Sequence, residues 1–290
     1  CFLTFMKTYK TVKGLQKVLD QCRVEGKRIA FVPTMGALHE GHISLVELAS
    51  QRADIVVVSI FVNPSQFNSS EDLNKYPRMV EKDSKFLRRA NCNFLFIPEV
   101  DEVYPKNLNT TVTVDLNGRD RVMEGHFRPG HFDGMLQVVH RLLDIVKPDY
   151  LYMGQKDFQQ FTLVHQMINE LKPKIELVIG PTMRENDGLA MSSRNLRLSG
   201  EMRKIAPEIN KALLLAKEHY MSLDLNELEK ICIDKLTKVG LKPEYFEIVD
   251  GFTLKKVQKH VNSDYLVACV AAWAGNVRLI DNMILKGHPN

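Results

Sequence analysis

Apolar positions along this chain follow two spacings that alternate. Val12, Leu15, Val18, Leu19 and Cys22 recur three or four residues apart, which gathers them on one face of an α-helix. Residues 28–32 then read as a short buried strand, and Ile43, Leu45, Val46 and Leu48 restore the helical period. The run Ile55-Val56-Val57-Val58-Ser59-Ile60-Phe61-Val62 is unbroken and rich in β-branched residues, as in a parallel strand covered on both faces. Helices over 79–89, 134–146 and 158–171 then alternate with strands over 93–97, 150–153 and 175–179. Strand and helix in turn predict an α/β fold, a doubly wound parallel sheet of Rossmann-like type with right-handed crossovers. Ligands of such sheets sit at the carboxyl ends of the strands.

After about residue 183 the pattern changes. Long helices over 201–221 and 225–239 precede strands over 245–249, 265–272 and 277–283, which predicts a smaller α+β domain. We expect a catalytic domain over residues 1–182 and a C-terminal domain over 183–290 that closes over the site.

Composition narrows the function classes. Of 290 residues 44% are apolar and 26% charged, the balance of a soluble globular protein. A net charge of +4, scattered along the chain, is no nucleic-acid footprint. No run approaches the ~18 apolar residues of a membrane span. Five widely spaced cysteines suggest neither a disulfide framework nor a zinc ribbon, so a reducing cytoplasm is expected. Residues 1–5 are far shorter than the apolar region of a signal peptide, and Met6 reads as the natural start.

The first strand runs into Pro33-Thr34-Met35-Gly36-Ala37-Leu38-His39-Glu40-Gly41-His42. Histidines three apart share a helix face, and a helix N-terminus attracts phosphate through unpaired N–H groups and its dipole. Two imidazoles there point to nucleoside triphosphate chemistry. Taken alone, the pair reads equally as two metal ligands or two surface histidines, although the flanks lack the further ligands of a zinc site.

Three other segments follow predicted strands or link the domains. Asn63-Pro64-Ser65-Gln66-Phe67 leaves two carboxamides at a strand end, suited to a hydroxylated substrate or to an ordinary turn. Gly154-Gln155-Lys156-Asp157 aims an ammonium at a bound phosphate, or forms a solvated Lys-Asp pair; Gln160 stands one turn further on. Between Met183 and Asn195, Ser192-Ser193-Arg194 reads as a flexible clamp on a triphosphate, or as a helix-capping pair beside a surface arginine. In the Gly-rich loop over 123–134, Arg128 and His131 either cover an anionic intermediate or start a helix.

Together these segments resemble the pantothenate synthetase family, the pantoate–β-alanine ligases. PTMGALHEGH, SIFVNPSQF, DLNKYPR, MEGHFRPGHF, KDFQQ, DGLAMSSRN and AAWAGNVRLIDN stand in the family's order over nearly the whole chain. The resemblance implies an HxGH nucleotidyltransferase with a KMSKS-like loop, a HUP-type Rossmann fold related to class I tRNA synthetases. It also implies a two-step reaction: pantoate and ATP give pantoyl adenylate and pyrophosphate, and β-alanine then displaces AMP to give pantothenate.

By the same resemblance His39, His42, Lys156, Ser192, Ser193 and Arg194 are catalytic. Met35, Gly36, Ala37, Leu38, Glu40, Gly41, Gly154, Gln155, Asp157, Met183 and Met191 complete the ATP site. Gln66, Gln160, Asn63, Arg128 and His131 are assigned to pantoate and β-alanine. Mg²⁺ accompanies ATP, with Asp83 as the candidate carboxylate, and a homodimer is expected. The chain departs from the family pattern at Met153-Gly154-Gln155, where Phe-Gly-Glu is usual, and at Met135-Leu136-Gln137, where Val-x-Thr is more common.

Overall fold

Strands β1 (Lys7–Tyr9), β2 (Ile29–Thr34), β3 (Ile55–Ile60), β4 (Phe94–Phe96), β5 (Tyr150–Gly154) and β6 (Glu176–Gly180) form one sheet in the order β1-β4-β3-β2-β5-β6. Every pairing in it is parallel. The connecting helices are α1 (Val12–Val24), α2 (Glu40–Arg52), α3 (Val80–Arg89), α4 (Val100–Val103), α5 (Glu124–Phe127), α6 (His131–Val146) and α7 (Phe158–Leu171). The computed structural model describes residues 6–67, 73–74 and 76–288. Residues 1–5, and Asp72 and Lys75 of the DLNKYPR motif, lie outside the described residues.

The chain forms two compact units. The first comprises Cys1–Leu116, Arg128–Gly154 and Gln160–Pro181; the second comprises Asn117–Phe127, Gln155–Gln159 and Thr182–Asn290. Two short segments that precede the expected boundary at residue 183 are thus grouped with the C-terminal part.

In the first unit, strand alternation sends Ala30, Val32, Val56, Val58, Leu95 and Tyr152 to one face, where they pack with Ile43, Val46 and Ala49 of α2 and Leu87 of α3. Phe31, Val57, Phe96 and Leu151 fill the opposite face and are equally buried. A strand buried on both faces has no polar side, which is why the sequence shows unbroken apolar runs. Each fully buried Val, Leu or Phe side chain among them contributes about 1.5–3 kcal/mol. Strand order runs outward from β2 through β3 to β4, then returns to place β5 on the other flank of β2, pairing Ala30 with Tyr150 and Phe31 with Leu151. The carboxyl ends of β2 and β5 therefore flank the topological switch point, where ligands of open α/β sheets bind.

The second unit carries an antiparallel sheet, β7 (Lys242–Asp250), β8 (Leu266–Ala274) and β9 (Val277–Lys286), in the order β7-β8-β9. Its core joins Leu266, Ala268, Val270, Val277 and Leu279 to Leu213 of α9 (Glu208–His219) and Leu228 and Cys232 of α10 (Leu225–Lys238). The single helix expected over 201–221 is two, the short α8 (Gly200–Ile205) and then α9. Pro207 lacks the N–H that a continuous helix would give to the carbonyl four residues earlier. Helix α6 starts three residues before the expected Gly134, with left-handed Gly130 (φ 78°) at its cap.

One close approach fixes the carboxyl side of β3. A Cβ at Gly134, in the first turns of α6, would lie 2.3 Å from the Ser65 carbonyl oxygen and 2.6 Å from its carbon. Only glycine lets the helix meet this turn. We expect Gly134→Ala to lower the unfolding free energy by about 1–3 kcal/mol, the usual cost of overpacking. Urea unfolding measures it, and an unchanged midpoint would contradict the contact.

Candidate active site

The turn after β2 is built from inward-facing amides. Gly36 and Ala37 both take left-handed backbone angles, φ 84° and 51°. Thr34 Oγ1 accepts the Gly36 N–H at 3.2 Å and donates to the Ser59 carbonyl at 2.6 Å. Asp83, fully buried, accepts the Ala37 N–H at 2.9 Å on one oxygen and the Leu38 N–H at 2.8 Å on the other. A left-handed alanine costs about 1–2 kcal/mol, and the carboxylate offsets it by holding the turn closed. Burial pushes the Asp83 carboxyl above its ordinary value, against the pull of the two amides. Both oxygens of the carboxylate put forward for a metal are therefore taken by backbone. Likewise the N–H groups of Gly36, Ala37 and Leu38 point into the protein, so this turn shapes the site instead of lending those three donors to a phosphate.

The histidines stand where the turn enters α2. His39 is the helix N-cap and His42 the third helical residue, and each imidazole caps backbone. His39 Nδ1 accepts the Gly41 N–H at 3.2 Å, and His42 Nδ1 accepts the His39 N–H at 3.3 Å. Their ring centroids lie 4.1 Å apart. An Nδ1 that accepts carries no proton, so each neutral ring bears its hydrogen on Nε2. The cap thus fixes the tautomer that presents a donor, which suits the ring to an anionic oxygen.

Beyond β3, Asn63 is fully buried. Its Nδ2 donates to the Gly134 carbonyl at 3.0 Å, and its Oδ1 accepts from Tyr104 Oη and Ser65 Oγ, each at 3.1 Å. Burial pushes the Tyr104 hydroxyl up to about 12, so it stays a donor. Gln66 Nε2 lies 2.9 Å from Met35 Sδ, which joins the carboxamide to the histidine turn. His131 is buried, and its Nδ1 bonds the Gln66 carbonyl at 2.8 Å. Asn63 and His131, expected against substrate, thus brace the backbone that carries Gln66. Arg128 is half-buried before α6, and Gln160 is half-buried in α7. Tyr104 has no motif to announce it.

In the second unit, Lys156 lies in the short 3-10 turn Gln155–Asp157, its Nζ 3.7 Å from Asp157 Oδ1. Asn282 of β9 donates through Nδ2 to the Gln155 carbonyl at 2.9 Å and the Lys156 carbonyl at 2.8 Å. The segment expected to be a flexible clamp begins as a closed hairpin. Met191 N–H bonds the Met183 carbonyl at 2.9 Å, Arg184 bridges Ala190, and the Arg184 guanidinium grips buried Asp281 at 2.6 and 3.1 Å. Ser192 then caps the 3-10 turn Ser193–Arg197, its Oγ accepting the Arg194 N–H at 3.2 Å, and Ser193 is buried.

A second buried group belongs to the same unit. Arg278 of β9 pairs with Glu124 at 2.7 and 2.8 Å and with Glu244 at 2.7 Å, while Tyr245 Oη donates to Glu124 at 2.9 Å. Gln159 Oε1 accepts the Glu124 N–H at 3.0 Å, and its Nε2 donates to the carbonyls of Arg119 and Val122. The sequence signal for these roles was the late motif AAWAGNVRLIDN, which contains Arg278, Asp281 and Asn282 without indicating what they hold.

The chain is similar to known proteins over nearly its whole length. A family model described as pantoate-beta-alanine ligase matches residues 7–284. A pantothenate synthetase of Phocaeicola vulgatus is 46% identical over 97% of this chain and 100% of its own length, and one of Fervidobacterium nodosum is 45% identical over the same shares. A crystal structure of pantothenate synthetase from Thermus thermophilus superposes with a TM-score of 0.90 at 39% identity, covering 97% of this chain and 100% of that one. A pantoate-beta-alanine ligase from Francisella tularensis, complexed with beta-gamma ATP and beta-alanine, gives 0.81 at 35% identity, covering 98% and 100%.

The Asp83 geometry has a direct test. Asparagine keeps the shape but can accept only one of the two amides, leaving the other N–H unpaired in a dry site. Asp83→Asn should destabilise the fold by about 1–3 kcal/mol in urea unfolding. Wild-type stability would show that the turn does not depend on the carboxylate.

Proposed function

The chain belongs to the pantoate–β-alanine ligase family, and we propose that it condenses pantoate with β-alanine at the expense of ATP. The observation that carries this reading is the family match over residues 7–284, supported by the capping bonds on Nδ1 that leave each neutral imidazole its hydrogen on Nε2. A carboxylate is a poor acyl donor because its leaving group would be an oxide. In the first step a pantoate carboxylate oxygen attacks the α-phosphorus of ATP, and the bond to the bridging oxygen of pyrophosphate breaks. In the second step the free amine of β-alanine attacks the acyl carbon of pantoyl adenylate, loses a proton, and expels AMP.

His39 and His42 donate from Nε2 to phosphate oxygens as negative charge moves onto pyrophosphate. Lys156 offsets charge at the α-phosphate, and Arg194 with Ser192 and Ser193 holds the departing pyrophosphate. Glu40, Gly41, Gly154, Gln155 and Asp157 border the nucleotide, with Met183 and Met191 beside its base. Gln66 and Gln160 take pantoate's hydroxyl and carboxylate oxygens, and Arg128 covers the anionic intermediate. When bound, Mg²⁺ neutralises phosphate charge, and it typically keeps its waters and phosphate ligands with few protein oxygens. The committed oxygens of Asp83 do not fit it as a ligand.

Cys22, Cys92, Cys232 and Cys269 are buried free thiols, which supports a reducing cytoplasmic setting. No helix among the described residues is long and apolar enough to cross a membrane. By family likeness the working state is a homodimer. Sedimentation at micromolar concentration tests it, with twice the chain mass expected and a single monomeric species counting against it.

The decisive assay omits ATP, pantoate and β-alanine in turn while AMP is measured. AMP formation should require all three, and AMP released without β-alanine would refute the second step. We further expect Lys156→Ala and His42→Ala each to slow pyrophosphate release with ATP and pantoate by about two to three orders of magnitude, the usual effect of losing one preorganised transition-state contact. Near-normal release in either variant would remove that residue from the mechanism.

A further inference from the structure

Strand β9 ends the small sheet, and its side chains divide between two faces. Val277, Leu279 and Leu285 join the core built with α9 and α10. Arg278 and Asn282, of the opposite parity, share the other face. Arg278 is taken up by Glu124 and Glu244, whereas Asn282 is spent wholly on the segment that carries Lys156.

The geometry at Asn282 is specific. One carboxamide nitrogen has two hydrogens, and they go to two successive carbonyls, those of Gln155 and Lys156. These two peptide planes flank the Lys156 Cα on either side. Fixing both planes fixes φ and ψ of the lysine and hence the direction in which its stem leaves the backbone. Gln155 Nε2 reaches back toward Asn282 Oδ1 at 3.5 Å. The Asn282 N–H goes to Asp281 Oδ1 at 2.8 Å, and that same carboxylate holds Arg184 of the 183–191 hairpin. Asn282 is almost fully buried, so no water competes for these bonds. Aspartate has the shape without the donors, and serine has one donor instead of two.

We propose that Asn282 is the positioning residue for Lys156 in adenylate formation, setting the direction of the ammonium through the two peptide planes beside its Cα. The inference rests on the reading that Lys156 acts on the α-phosphate. Asn282 acts through that lysine, since both hydrogens of its carboxamide go to the backbone on either side of it. A misplacement of the order of 1 Å costs about a hundredfold in rate, so the loss of both bonds falls on the chemical step.

The test is single-turnover pyrophosphate release from ATP and pantoate, measured for the parent, Asn282→Ala, Asn282→Asp, Asn282→Ser, Lys156→Ala and the Lys156→Ala/Asn282→Ala pair. Asn282→Ala should slow release roughly ten- to a hundredfold, within the range expected for such misplacement, with the fall in kcat larger than the rise in KM for ATP. Asn282→Asp should be no better than alanine, and Asn282→Ser should recover part of the rate. In the Lys156→Ala background the second substitution should add less than about twofold, because two residues that act as one unit are not additive. A full, additive loss in that background, or release by Asn282→Ala within about twofold of the parent, a change too small for a lost positioning contact, overturns the inference. If Asn282→Ala does not fold, Asn282→Ser carries the same comparison in both backgrounds. Parental release by Lys156→Ala sinks the reading of the lysine and the inference with it, whereas a slow Lys156→Ala beside an unaffected Asn282→Ala sinks the inference alone.

Discussion

A carboxylate without water around it and two amides in front of it holds the histidine turn in shape. Asp83 comes from α3, and the turn it closes lies at the carboxyl end of β2. Ala37 would not hold its left-handed angle for long by itself, and without that angle the chain would not enter α2 with His39 at the cap. Next to this interaction stand the capping bonds of both imidazoles, whose accepting Nδ1 atoms leave each neutral ring its hydrogen on Nε2. The sheet supplies the rigidity that makes the arrangement durable, since β2 is a central strand buried on both faces.

The same device recurs elsewhere in each unit. A buried polar side chain from one element satisfies the backbone or the charge of another, so that a loop bearing chemistry has a single preferred shape. Asn63 does this for the turn that carries Gln66, and Asn282 for the turn that carries Lys156. Asp281 does it for the hairpin from Met183 to Met191. The buried ion pairs add little net stability, because removing a guanidinium and two carboxylates from water costs about as much as their attraction returns. Breaking one partner is a different matter, since it strands the other charge. Arg278 between Glu124 and Glu244 therefore specifies where the 117–127 segment lies more than it strengthens the fold.

Several residues of ligand-like type also brace the backbone by position. Asn63, His131 and Asp83 were all singled out for chemistry, and all three spend polar atoms on backbone. A site needs its frame as much as its contacts. Gln66, Arg128, Gln160 and Arg194 are half-buried.

Local pattern by itself determined most of the succession of strands and helices, though not the short edge strand β1 or the helix α4, because apolar periodicity is set by the residue's own neighbours and by which faces a strand or helix must bury, and elements of three or four residues carry too little of it. It missed the break at Pro207, where the helical period runs through a residue without an N–H, and the early start of α6, where a glycine cap precedes the apolar stripe. Motif order also determined the family. What only the tertiary structure decided is which amides face inward, which nitrogen of each histidine bears the proton, and which side chains hold others in place. Those answers depend on pairs far apart in the chain, 46 residues between Ala37 and Asp83 and 126 between Lys156 and Asn282. A hydrogen bond acts over about 3 Å, so its partners exist only once the chain has closed on itself.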